Sequence, residues 1–144
     1  MALQYALSED AQAYVSYTEG MRAGGFNAFA SSAGNPAYDP EQVRSYEVGL
    51  KGLTADQRLR YSAALYRMQV RDMQVQQLVQ QGLVYITNAA AATSTGLDLD
   101  LEYLLGERWT LTAALGLNRT RFERFREGAN DYQDNRNPFA PDFT

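Results

Sequence analysis

The chain has 144 residues, no cysteine and no histidine, and 13 basic against 17 acidic side chains, for a formal charge of -4. Without cysteine there is no disulfide framework or thiol chemistry, and without histidine the commonest metal ligand and the commonest general base are both missing. The acidic balance opposes a nucleic-acid surface, and no run approaches the roughly 20 apolar residues of a membrane-spanning helix.

At the N-terminus Ala2 to Leu7 reads as a short apolar strand, closed by the polar turn Ser8-Glu9-Asp10. The opening MALQYALSEDAQ has no basic region, continuous apolar stretch or small-residue cleavage site. If the protein works outside the cytoplasm, this start is expected to be an internal one. Ala11, Ala13, Val15 and Tyr17 then alternate with Gln12, Tyr14, Ser16 and Thr18, as in a strand with unlike faces. From Gly20 to about Val43 the pattern dissolves into Gly, Ala, Ser, Asn and Pro, so a long loop is expected there. Tyr46, Val48 and Leu50 restore the alternation, the polar turn Thr54 to Gln57 follows, and Leu59, Tyr61, Ala63 and Leu65 begin another strand. Its phase slips near Tyr66, with Met68 and Val70 on the other parity, as a bulge or an exit from the apolar zone would produce.

The next stretch is β-prone, with Gln80-Gln81-Gly82 as its expected hairpin tip, and leads through Ala89 to Ala92 into the most regular part of the chain. There Leu97, Leu99, Leu101 and Tyr103 oppose Asp98, Asp100 and Glu102. Beyond a turn at Gly106, Trp109, Leu111, Ala113, Leu115 and Leu117 repeat the period. After Asn118 the chain turns charged and rich in turn formers, so a second long loop is expected near residues 123–143, without a terminating element.

The elements therefore read as an all-β, antiparallel, up-and-down meander of about six or seven strands. In a meander alternate connections share an end. The short turns near residues 8, 54 and 106 then gather at one end and the long connections at the other, the asymmetry of an outer-membrane barrel. Tyr61, Tyr103 and Trp109 flank the short turns as an interfacial aromatic girdle would.

Five segments in order resemble the barrel of TonB-dependent outer-membrane receptors. Tyr14, Ser16, Tyr17, Gly20, Arg22, Gly24, Gly25, Phe26 and Asn27 fit the first, and Pro40, Glu41, Tyr46, Glu47, Gly49 and Lys51 the second. Ala64, Tyr66, Asp72, Gln74 and Val75 fit the third, and Asn88, Ala89 and Gly96 to Leu99 the fourth. The last comprises Asn135, Arg136, Pro138, Ala140 and Pro141. Asp98 and Asp100 stand where glutamates are usual, and Met21 replaces an aromatic residue.

The resemblance covers residues 1–144 and implies part of a 22-stranded transmembrane β-barrel. It lacks the plug, the TonB box and the closing strand. It implies active uptake of a scarce nutrient such as a ferric siderophore across the bacterial outer membrane. The implied partners are the lipid bilayer, the small-molecule ligand and, through the missing plug region, the TonB-ExbB-ExbD complex.

Within that frame Arg22 and Phe26 lie toward an extracellular loop, where an arginine beside an aromatic ring suits an anionic ferric chelate through charge and stacking. The nearby glycines are expected simply to let the strand end bend into its loop. Asp98, Asp100 and Glu102 offer the oxygens a calcium ion wants. Alternate residues of one strand diverge, however, and no glycine-rich loop wraps an ion there. The row therefore reads as a hydrated lumen wall, with Arg58 and Arg60 as structural counter-charges. A catalytic triad is impossible without histidine, and GMRAGG lacks the spacing and helix of a phosphate loop, so neither an enzyme nor a cofactor is expected. The competing fold is a soluble β-sandwich ligand-binding module, in which the leucine face packs on a second sheet. A self-contained eight-stranded barrel would need more strands than the sequence supplies.

Overall fold

The computed structural model describes residues 1–27, 37–78, 84–127, 130–136 and 140–144. Its elements are β1 (Ala2–Ala6), β2 (Ala11–Arg22), β3 (Gly25–Phe26), β4 (Ala37–Tyr38), β5 (Glu41–Leu53), β6 (Leu59–Leu78), β7 (Val84–Leu105), β8 (Trp109–Glu127) and β9 (Asn130–Asp131). Seven of these form one antiparallel sheet in the order β1-β2-β5-β6-β7-β8-β9, and β3 and β4 form a second sheet of two strands. Consecutive strands of the large sheet are spatial neighbours, as the alternating pattern requires of a meander. The described strands do not close on themselves.

Short turns gather at one end because their residues can make tight ones. Leu7 and Ser8 donate backbone bonds of 2.8 and 3.1 Å to the Ala11 carbonyl. Between β5 and β6, Gln57 takes a positive φ of 56° and donates to the Thr54 carbonyl at 2.7 Å. Gly106, at φ 73°, closes the β7–β8 hairpin in a conformation that costs glycine little.

Register shows what the sheet's two faces are. Partner side chains lie on one face, and one row runs Leu3, Val15, Val48, Leu65, Leu97, Leu117. The row beside it, toward the short turns, is Tyr5, Ala13, Leu50, Ala63, Leu99, Leu115. Next come Ala11, Gly52, Tyr61, Leu101 and Ala113, then Leu59, Tyr103 and Leu111, and finally Leu105 and Trp109. These five rows carry no charge. Among the described residues nothing covers them: Leu65 is 56% exposed and Trp109 74%.

That exposure overturns the β-sandwich alternative. A sandwich buries its apolar face about 10 Å from a second sheet, whereas the only other sheet described has two strands of two residues each. Among the described residues, the buried hydrophobic side chains are Ala90, Ala92 and Phe122. A soluble domain of this length would enclose a far larger core.

Two further departures concern strand length. β2 continues to Arg22 and β5 starts at Glu41, so the first expected loop is shorter than its composition suggested, and β3 and β4 pair inside it. β8 runs on to Glu127, and the following residues fold back along it: Asn118 and Gly116 donate to the Asp142 and Thr144 carbonyls at 2.9 Å each. Charge there reflects solvated strand faces, not a loop. Near Tyr66 the register is continuous, so the expected change of parity there is an exit from the apolar zone and not a bulge. Beyond Leu65 the faces exchange character, with Arg67 and Gln69 on the formerly apolar side and Met68 and Val70 opposite. The bulge comes later, around Asp72, whose φ is 51°. The expected tip at Gln80-Gln81-Gly82 lies outside the described residues.

Candidate functional site

The opposite face is polar over the height of the apolar rows. Gln12, Lys51, Ser62 and Asp100 share one row, and Ser16, Glu47, Tyr66 and Asn118 share another across Gly96. Tyr14 donates its hydroxyl to Glu47 at 2.6 Å, and the Lys51 ammonium stands 5.8 Å from the Tyr14 ring centre. Arg60 faces Glu102 across the strands with 3.8 Å between charged atoms. These are hydrated contacts, each worth at most a few tenths of a kcal/mol to about 1 kcal/mol. Asp98, Asp100 and Glu102 line up along β7, and among the described residues no group of three or more acidic side chains is gathered as a metal site.

Farther from the short turns this face becomes a mixed surface. Ser94 is buried and donates to Asn118 at 2.6 Å, while Thr120 donates to Ser94 at 2.9 Å. Beside them Phe122, Phe125 and Tyr132 stack at ring separations of 5.0 and 5.2 Å. Two concavities result. One, of about 290 Å³, includes Tyr66, Met68, Ser94 and Asn118, and the other, of about 540 Å³, runs from Phe122 to Arg136. Both present aromatic or apolar walls with a few polar groups, the composition of a small-molecule surface.

The segment between β2 and β5 is fastened to β6 and β7 by amide side chains. Asn88 donates to the carbonyls of Asp39 and Asp72 at 2.8 and 2.6 Å, and accepts from the Asp39 backbone N–H at 2.6 Å. Gln74 donates to the Ala23 and Asp39 carbonyls at 2.9 and 3.1 Å, and its own N–H donates to Glu41 at 2.8 Å. Asn27 brackets Ile86, donating to its carbonyl at 2.9 Å and accepting from its N–H at 2.8 Å. An amide suits this work because it donates and accepts at once, as a missing strand would. Gly24 and Gly25 permit the fold-over. A Cβ on Gly24 would lie 2.4 Å from the Tyr38 carbonyl oxygen, and one on Gly25 2.6 Å from the Tyr38 hydroxyl. The glycines thus serve close chain approach.

Arg22 ends β2, opposite Glu41, and is exposed. Phe26 lies in β3 and is 79% exposed. Arg22 adjoins the fastened segment and Phe26 lies on it, at the end away from the short turns. Asn27, Gln74, Asn88 and Glu41 belong to the sequence motifs, but nothing in one sequence gives their contacts: they come from β5, β6, β7 and the residue after β3, and the bonds they make reach across up to 59 positions.

Comparison with known proteins bears on what this arrangement is. All of residues 1–144 match the family described as TonB dependent receptor-like, beta-barrel. The chain is 29% identical over 139 residues to the pesticin receptor of Yersinia enterocolitica, covering 95% of this chain and 20% of that protein. The crystal structure of the ferric yersiniabactin uptake receptor FyuA from Yersinia pestis superposes with a TM-score of 0.77 at 23% identity, over 99% of this chain and 21% of that one. The ferric-catecholate import receptor Fiu from K12 E. coli gives 0.70 at 18% identity, over 99% and 20% respectively. The ferripyoverdine receptor of the outer membrane of Pseudomonas aeruginosa gives 0.69 at 17%, over 99% and 18%. The chain thus spans about a fifth of the length of the proteins it matches.

Proposed function

This chain belongs to the TonB-dependent receptor β-barrel family, and we propose that it is one sector of the wall of a 22-stranded outer-membrane barrel that actively imports a ferric siderophore. The observation that carries this reading is the set of five uncharged rows on one face, exposed and backed by a polar face. Charge at the bilayer midplane of a barrel costs roughly 2 to 4 kcal/mol per Arg or Lys, so such rows belong against hydrocarbon and the polar face against a water-filled or plugged lumen. The short turns then lie in the periplasm and the fastened segment outside the cell. A ferric chelate is favoured as cargo because related receptors are named for ferric yersiniabactin, ferric catecholate and ferripyoverdine.

In this reading Arg22 and Phe26 meet the incoming chelate, the guanidinium by charge and the ring by stacking. Import draws its energy from the TonB-ExbB-ExbD complex acting through a plug outside this chain. The test is uptake of radioactive ferric chelates by iron-starved cells producing the complete receptor. Uptake that needs TonB, with an apparent affinity at least tenfold weaker in the R22A/F26A variant at equal receptor level, supports the reading. Unchanged affinity removes the two residues from the ligand path. Failure to import any ferric chelate removes the cargo assignment.

A further inference from the structure

The formerly apolar face changes character abruptly at the row beyond Leu3, Val15, Val48, Leu65, Leu97 and Leu117. That next row is Tyr17, Tyr46, Arg67, Thr95 and Arg119, and the one after it is Glu19, Arg44, Gln69, Thr93 and Arg121. Four arginines therefore stand in two rows whose own acid is Glu19, with Glu123 reaching the second row by accepting from the Thr93 hydroxyl, on a chain whose overall charge is -4. Two of the four are engaged: Arg44 pairs with Glu19 at 2.9 Å, and Arg121 donates to the Asp134 carbonyl at 3.3 Å. Arg67 and Arg119 are exposed and meet no carboxylate among the described residues. They flank exposed Thr95, two strand spacings apart, or about 10 Å. The small threonine leaves room for both long side chains to reach one group above it. The tyrosines of the same row, Tyr17 and Tyr46, stack at 5.0 Å as interfacial rings do.

We propose that Arg67 and Arg119, across Thr95, form an external docking site for the phosphate of a phosphorylated glycolipid in the outer leaflet. The inference rests on the orientation given above, with the apolar rows in hydrocarbon and the fastened segment outside. That orientation puts this row at the depth where the leaflet's anionic headgroups begin. Charge complementarity and direct continuity with the lipid-facing rows select this occupant. A guanidinium is also the side chain that best matches phosphate, because its fork of donors binds two oxygens at once. The lumen-facing Arg60 has no such setting, lying among the uncharged rows' height and opposite Glu102.

The experiment uses the complete receptor in detergent, titrated with purified bis-phosphorylated lipid A and with its enzymatically dephosphorylated counterpart, bound lipid being counted by native mass spectrometry. R67Q/R119Q is compared with wild type and with R60Q, and resistance of the folded band to unheated gel loading verifies assembly. Binding of the phosphorylated lipid is expected to weaken about fivefold per arginine, roughly thirtyfold for the pair. R60Q is expected to bind as wild type does, and excess inorganic phosphate to leave lipid binding in place. Equal binding by wild type and R67Q/R119Q, or equal binding of both lipids by wild type, overturns the site. If the complete receptor does not assemble in the outer membrane, the functional reading itself fails. A receptor that assembles and imports yet shows no arginine dependence sinks only this inference.

Discussion

Leu101 is the most informative place to put a charge. On β7 the uncharged outward positions run Leu97, Leu99, Leu101, Tyr103 and Leu105, eight residue steps or about 27 Å along the strand. A strand tilted by about 40° projects that length onto roughly 21 Å of membrane normal, close to the apolar band of about 25 Å in such barrels. Leu101 then sits about 10 Å from either interface. An arginine there is expected to cost roughly 2 to 4 kcal/mol, against about 0 to 1 kcal/mol at the end positions Leu97 and Leu105. A loss of that size lowers the folded-to-unfolded ratio by about thirtyfold to a thousandfold. The assay is urea unfolding of the complete receptor in lipid vesicles, followed by tryptophan fluorescence, for the series L97R, L101R and L105R. A maximum at Leu101 is expected. A flat series, or one that peaks at Leu105, would refute the placement of these rows in hydrocarbon.

Asn88→Ala removes one donated and one accepted bond with Asp39, in the segment between β2 and β5, and the bond donated to the Asp72 carbonyl of β6. About 1 to 2 kcal/mol of local stability is expected to go, allowing for partial exposure, read as faster amide exchange and protease cleavage between residues 23 and 40 with barrel assembly unchanged. At the short turn before β6, the Thr54 hydroxyl and then the Arg58 backbone N–H hold the Asp56 carboxyl below its usual range. A carboxylate lowered by folding stabilises the turn above its unfolded pKa of about 4, and that contribution is lost as pH falls through the lower folded value. Protection of the turn amides, taken relative to their intrinsic exchange rate at each pH, is therefore expected to fall on acidification in wild type but to change little in D56N, and parallel protection profiles would contradict this.

Much of the fold is legible in the sequence because a membrane strand must alternate. Leu97 to Tyr103 and Trp109 to Leu117 declare both their faces and their hairpin, and the five motifs point to one family. Legibility stops where the hydrocarbon does. Beyond Leu65, Leu97 and Leu117 both faces can be solvated, so Arg67, Thr95 and Arg119 carry no parity signal, and β8 resembles a charged loop from Arg119 to Glu127. The positive φ at Asp72 falls on a residue that does not announce it as glycine does. The fastening of Asn27 to Ile86 and of Asn88 to Asp39 is also hidden, since amide side chains can close such contacts at any separation. Arg22 and Phe26 could be placed near an extracellular loop from their motif, but their attachment through Ala23 and Gln74 needed the fold.

The face assignment of β7 can be measured position by position, because this chain has no native cysteine. Single cysteines are placed at residues 97 to 105 of the complete receptor, freed of any other thiol, and each is offered a water-soluble maleimide in intact outer membranes and, once spin-labelled, oxygen or a nickel chelate. Alternation with period two is expected, odd positions being slow to react with maleimide and relaxed by oxygen, even positions open to the aqueous reagents. Odd positions whose cysteines react from water as readily as cysteines at positions 98, 100 and 102 would contradict a lipid-facing leucine wall.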